Sequence, residues 1–128
     1  MNSDESPSKQ LILQRVRNRI IEYFEFASDA EAQAKFGPDS VINYWEDWQN
    51  SSLDTAYPNP VFTVSERDAM SAFDSSWRLT ADSTSNPMPP ISVLRDTRVW
   101  QRLTTSAIIA LSVFLLRGRF PEDHEVTT

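Results

Sequence analysis

Residues 99–116 read VWQRLTTSAIIALSVFLL, and the pattern of this stretch decides the fold. Trp100, Leu103, Ala107, Ala110, Leu111 and Phe114 recur at helical spacing and share one face, with Arg98, Gln101, Arg102 and Thr105 opposite. From Ala107 to Leu116 every position except Ser112 is apolar. A helix apolar on all sides belongs in a protein interior or in a bilayer. This run is ten residues long and bracketed by Arg102 and Arg117, whereas a span needs roughly 20 apolar residues. The expectation is a central buried helix over residues 97–117. Gly118 would be its left-handed cap, Arg117 and Arg119 would face the negative end of its dipole, and Pro121 would stop it.

Four further helices are expected to pack around it. Ser65 with Asp68 starts ERDAMSAFDSSWRLTAD, whose apolar face is Met70, Phe73 and Trp77, with Ala69 and Ala72 beside it and an Asp74–Arg78 pair outside. Residues 83–90 read as a turn-forming linker, Ile91–Leu94 as a helical turn, and Asp96 or Thr97 as the cap of the central helix. Nearer the N-terminus, Lys9–Ala27 carries a stripe of Ile12, Val16, Ile20, Tyr23, Phe24 and Ala27, with Arg15, Asn18, Glu22 and Glu25 on the other side. Ser28 with Glu31 forms a capping-box pattern for a short helix that Gly37-Pro38 ends.

The next helix, PDSVINYWEDWQN, has Asp39 or Ser40 as its cap and places Val41, Trp45 and Trp48 on one face. Residues 50–64 form a long connection that Pro58 and Pro60 keep extended. Val61–Val64 finds no second strand to pair with, so Tyr57, Val61 and Phe62 are expected to pin the loop onto the helices. The reading is an all-α protein: a compact bundle of about five helices in one domain over 9–120, a disordered N-terminus at 1–8 and a frayed acidic tail at 121–128.

Composition narrows the chemistry. The 128 residues contain no cysteine, one histidine (His124) and two glycines (Gly37 and Gly118). Disulfides, thiolate metal sites, cysteine nucleophiles, histidine-dependent triads and glycine-rich phosphate loops are therefore excluded. No metal, cofactor or catalytic residue is indicated. Met1–Ser8 is polar and acidic rather than a signal segment, which predicts a cytoplasmic protein with no membrane partner. The net charge of −6 is unevenly distributed. Residues 22–82 hold twelve acids and three bases, whereas residues 95–119 hold five arginines and one aspartate. One outcome is that arginines and acids pair within the fold. The other is an acidic surface for a basic protein partner, and such a surface does not suit nucleic acid.

The run R-x-R-I-I-E-Y-F-E-F-A-S at residues 17–28, followed by V-I-N-Y-W-E-D-W at 41–48, resembles a group of small, acidic, uncharacterised bacterial proteins. The resemblance covers the first half of the chain. It implies a toxin-immunity role and transfers no catalytic residue.

Three classes of function follow. The first is a binding protein of the immunity or antitoxin type that occludes a basic partner, a toxin on the resemblance. Its contacts would be Glu22, Glu25, Asp29, Glu31, Glu46, Asp47 and Asp54, with Trp45 or Trp48 as anchor. The second is a structural adaptor or secretion-chaperone-like protein that uses an exposed apolar patch of Trp45, Trp48 and Phe62. The third, an enzyme, would have to work without histidine or cysteine. Glu46 and Asp47 diverge by about 100° on a helix, so they do not converge on one atom. The reading adopted is a non-enzymatic binder.

Overall fold

The structure, a computed structural model, describes residues 7–84 and 88–126. Its helices are α1 (Lys9–Ala27), α2 (Ala30–Phe36), α3 (Asp39–Trp45), α4 (Leu53–Ala56), α5 (Val64–Ser83), α6 (Ile91–Leu94) and α7 (Arg98–Leu115). A 3-10 turn over Glu46–Trp48 extends α3. There is no strand among the described residues. The fold is an all-α bundle of five helices of seven residues or more (α1, α2, α3, α5 and α7), with α4 and α6 as single turns between them.

α7 starts where Thr97 accepts the Trp100 N–H, and ends with Gly118 at φ 75°, its N–H bonded to the Phe114 carbonyl. α5 lies antiparallel beside it: Ser76 meets Ser106 and Thr80 meets the Val99 carbonyl. α1 covers the other side. Phe24 of α1 packs on Phe73 of α5 and Phe114 of α7, ring centroids 5.2 and 5.7 Å away, and Trp45 of α3 closes on Phe73 at 4.8 Å. The indole N–H groups of the three buried tryptophans all find acceptors: Asp74 for Trp45, the Ile42 carbonyl for Trp77 and Gln33 for Trp100.

α7 is central but not buried on every side. It buries Trp100, Leu103, Ala107, Ala110 and Phe114, while Ile108, Ile109, Leu115 and Leu116 stand in solvent. Among the described residues only α5 and α1 pack extensively on α7, so the apolar run exceeds what the domain covers.

Three helix starts differ by one or two residues from the sequence reading. Asp29, not Ser28, caps α2, accepting the Glu31 and Ala32 N–H groups, because the Ser28 hydroxyl is taken by the Phe24 carbonyl. Thr63 with Glu66, not Ser65 with Asp68, forms the capping box of α5. No side chain caps α3; Pro38 starts it. Tyr57, Val61 and Phe62 are buried and pin the 50–64 loop, as expected.

Ser8 and residues 121–126 are tied into the fold, which was not expected. Of the N-terminus expected to be disordered, residues 1–6 lie outside the described residues, but Ser8 caps α1. Part of the expected 83–90 linker, residues 85–87, also lies outside them. The segment 121–126 is not frayed. It runs back along α1, where Gln14 donates to the carbonyls of Pro121 and His124 and accepts the Val126 N–H.

That return depends on a polar face of α1. Gln14, Arg17 and Asn18, at i, i+3 and i+4, are all buried. Asn18 was expected opposite the core; instead its amide clasps Phe120, accepting its N–H at 3.0 Å and donating to its carbonyl at 2.8 Å. Arg17 donates to the carbonyls of Phe114, Gly118 and Val61 and to Glu66, so four of its N–H bonds are used. Phe120 covers the guanidinium at 4.4 Å.

Candidate partner-binding groove

A groove of about 420 Å³ opens where the second half of α1 faces the end of α2, α3 and the 3-10 turn. Its walls are Tyr23 and Phe26 from α1, Phe36 from α2, Tyr44 from α3 and Trp48 from the turn, with Arg19, Glu22 and Asp47 at the rim. The aromatic floor follows from local sequence. Phe26 sits one residue off the apolar stripe of α1, so its ring points sideways rather than inward. Phe36 is the last residue of α2, and Gly37 at φ 93° turns the chain immediately after it. The Phe26 ring then meets Phe36 at 6.3 Å and Tyr44 at 6.4 Å. Phe36 and Tyr44 remain 64% and 57% exposed, high values for aromatic side chains in adjacent helices.

The rim is mixed in charge. Arg19 holds Glu22 at 3.2 Å and Glu122 at 2.7 Å. The Asn18 amide and the neighbouring arginines keep the Glu122 carboxyl below the usual carboxylate range. Asp47 makes no ion pair among the described residues. Tyr23 anchors the wall from behind: its hydroxyl donates to the Val41 carbonyl, and burial raises its pKa far above the ordinary phenol. Chemically, the groove offers several ring faces and one unpaired carboxylate, a combination that attracts a cation carried on an apolar stem.

Of the residues nominated from sequence, the structure gathers Glu22, Asp47 and Trp48 here. Trp45 is not a surface anchor. It is 2% exposed, fixed by Asp74 at 2.9 Å, and belongs to the core. Glu25 pairs with Arg119, and Asp54 with Arg67. Asp29 is spent on capping α2. Glu31 and Glu46 are exposed but line no part of the groove. The acidic residues therefore form no single patch, and Glu22, Glu25, Asp54, Glu66, Asp74 and Glu122 pair with arginines within the fold. Phe62, expected in an exposed apolar patch with Trp45 and Trp48, is fully buried.

Arg19, Tyr23, Phe26, Phe36 and Tyr44 were not nominated. The available signal was that Phe26, Phe36 and Tyr44 fit none of the apolar stripes, which marks an aromatic residue with no assigned place in the core.

Among the described residues no group of acidic or histidine side chains is placed to hold a metal ion, and no helix is long and apolar enough to cross a membrane. Comparison with protein-family models, with curated proteins and with solved structures finds no match.

Proposed function

We propose that the protein is a non-enzymatic, cytoplasmic binder of the immunity type, which occludes a basic protein partner by receiving a basic side chain in the groove between α1 and α3. One observation carries the reading: exposed Phe36 and Tyr44 stand beside Asp47, a carboxylate with no ion-pair partner among the described residues. An arginine or lysine of the partner lays its stem on the rings and its charge against Asp47 and Glu22. Aromatic anchors of this kind dominate interface energetics, and the net charge of −6 speeds the encounter with a basic surface. The resemblance of residues 17–28 and 41–48 to a group of small, acidic, uncharacterised bacterial proteins, which implies a toxin-immunity role, agrees with it.

The test is titration of the full chain with an arginine-rich peptide and with a glutamate-rich control of equal length, followed by Trp48 emission, at low and high salt. The arginine-rich peptide should bind, more weakly as salt rises. Phe36→Ala and Asp47→Lys should each weaken it by about tenfold or more, or ~1.4 kcal/mol. Both positions are exposed, so folding should change by no more than about 0.5 kcal/mol. Equal response to both peptides, or no effect of either variant, would overturn the proposal.

A second reading, a structural adaptor, is favoured by the aliphatic face of α7, which is exposed where Trp45 and Phe62 are not.

A further inference from the structure

The outward face of α7 is the largest run of exposed aliphatic side chains among the described residues. Ile108, Ile109, Leu115 and Leu116 are 49%, 57%, 48% and 84% exposed. All lie within two and a half turns, with Ser112 at their centre. Lone exposed aliphatic residues are ordinary, but a contiguous cluster is the mark of an interface. The cluster is also dry in a chemical sense. No charged residue falls between Arg102 and Arg117, and the Ser112 hydroxyl is already donated to the Ile108 carbonyl of its own helix at 2.9 Å. A covering surface would therefore strand no polar group. Serine at the centre also lets a second helix approach closely.

We infer that this face is covered by a second copy of the same chain, with the two α7 helices crossing antiparallel near Ser112. The charge distribution selects both the occupant and the direction. Most of the chain is acidic and repels its own copies, but α7 lies in the segment whose five arginines outnumber its single aspartate. Two copies meeting here meet on their least acidic surface. The cations of α7 sit at its start, where Arg98 and Arg102 are exposed and make no ion pair among the described residues.

A parallel pair would stack these arginines on their equivalents. An antiparallel pair crossing at Ser112 carries each Arg102 about 15 Å and each Arg98 about 21 Å past the crossing, on opposite sides. The two Arg102 side chains are then about 30 Å apart, well beyond a screening length of roughly 8 Å. Toward the C-terminal end of α7 in each copy lies the acidic 122–125 segment, which Gln14, Arg15 and Arg19 hold against α1. The groove shares no residue with this face.

Sedimentation velocity of the full chain over a wide concentration range tests the association. The expected result is a dimer fraction that rises with concentration and is weakened about tenfold or more by Ile109→Glu. The native chain has no cysteine, so single-cysteine variants report geometry cleanly. With oxidised glutathione, Ser112→Cys should form an intermolecular disulfide, and Arg98→Cys should do so far more slowly. A chain monomeric at every concentration, a dimer indifferent to Ile109→Glu, or faster cross-linking at Arg98→Cys would each overturn the inference. The Ser112→Cys result decides the matter even if Ile109→Glu perturbs folding.

Discussion

The Arg17 guanidinium lies 2.8 Å from the Glu66 carboxylate, and neither side chain reaches water. Their contact joins three elements. Arg17 belongs to α1, and Glu66 is the third residue of α5 and also closes its capping box with Thr63. Through Phe114 and Gly118, Arg17 also holds the end of α7. Arg117 adds a second cation on Glu66 from the rim at 2.7 Å. A buried charge with its partner removed is far worse than no charge at all.

Glu66→Leu alone should therefore cost about 3–5 kcal/mol, because it leaves Arg17 buried without a counter-charge. Arg17→Lys should also be costly, since one ammonium cannot replace donors that reach Gly118, Val61, Phe114 and Glu66 from a planar fork. Arg17→Leu combined with Glu66→Leu should cost less than the sum of the two single changes. Urea unfolding of the four proteins measures this; strict additivity would show that the two side chains act independently.

Stability should fall on the acid side. Burial works to raise the Glu66 carboxyl, but the hydrogen bonds from Arg17, Arg117 and the Thr63 N–H outweigh it and hold it below the ordinary range. Asp74 behaves alike: burial raises it, and Gln49, Trp45 and Arg78 together lower it. With folded pKa values below the unfolded ones, the folded state binds fewer protons. The stabilisation is full above the unfolded values, near ~4, and is lost as pH falls through the folded ones. Thermal unfolding between pH 7 and pH 2 should show a flat upper region and a steep acid limb, shallower in Asp74→Asn. An acid limb unchanged in that variant would remove Asp74 from the account.

Tryptophan emission should separate core from groove. Trp45, Trp77 and Trp100 are 2%, 8% and 2% exposed, whereas Trp48 is half-buried at the groove wall. Iodide or acrylamide should quench chiefly Trp48, and Trp48→Phe should abolish most of the quenching. If Trp45→Phe did so instead, the assignment of Trp45 to the core would be wrong.

The helices were legible because apolar periodicity reports burial directly. Met70, Phe73 and Trp77, and Trp100 with Leu103 and Phe114, are core as their spacing implied. The polar face of α1 was not legible. Gln14, Arg17 and Asn18 have the same spacing as a core stripe, but hydrophobicity alone places such residues outside. Partners distant in sequence, the carbonyls of 114–126 and, for Arg17, the Val61 carbonyl and Glu66, make their burial tolerable. The outer face of α7 was misread for the converse reason: apolar residues announce a preference for cover but not whether the chain itself can supply it. The groove was half legible. Asp47, Glu22 and Trp48 were found through charge and tryptophan, while Phe36 and Tyr44 depend on how α2 turns into α3.

The lie of residues 121–126 along the start of α1 ties together two stretches of chain that ordinarily loosen separately. Ser8 bonds Glu125, Gln10 bonds the Val126 carbonyl, and Gln14 bonds three backbone groups of the returning segment. Breaking the return strips the Gln14 amide of three backbone partners, and melting the first turns of α1 removes the anchors of residues 124–126, leaving Asn18 and Arg19 to hold Glu122. Amide hydrogens of residues 11–15 and the Val126 amide should therefore exchange with deuterium as one cooperative unit, at a common rate, rather than as two independently fraying ends.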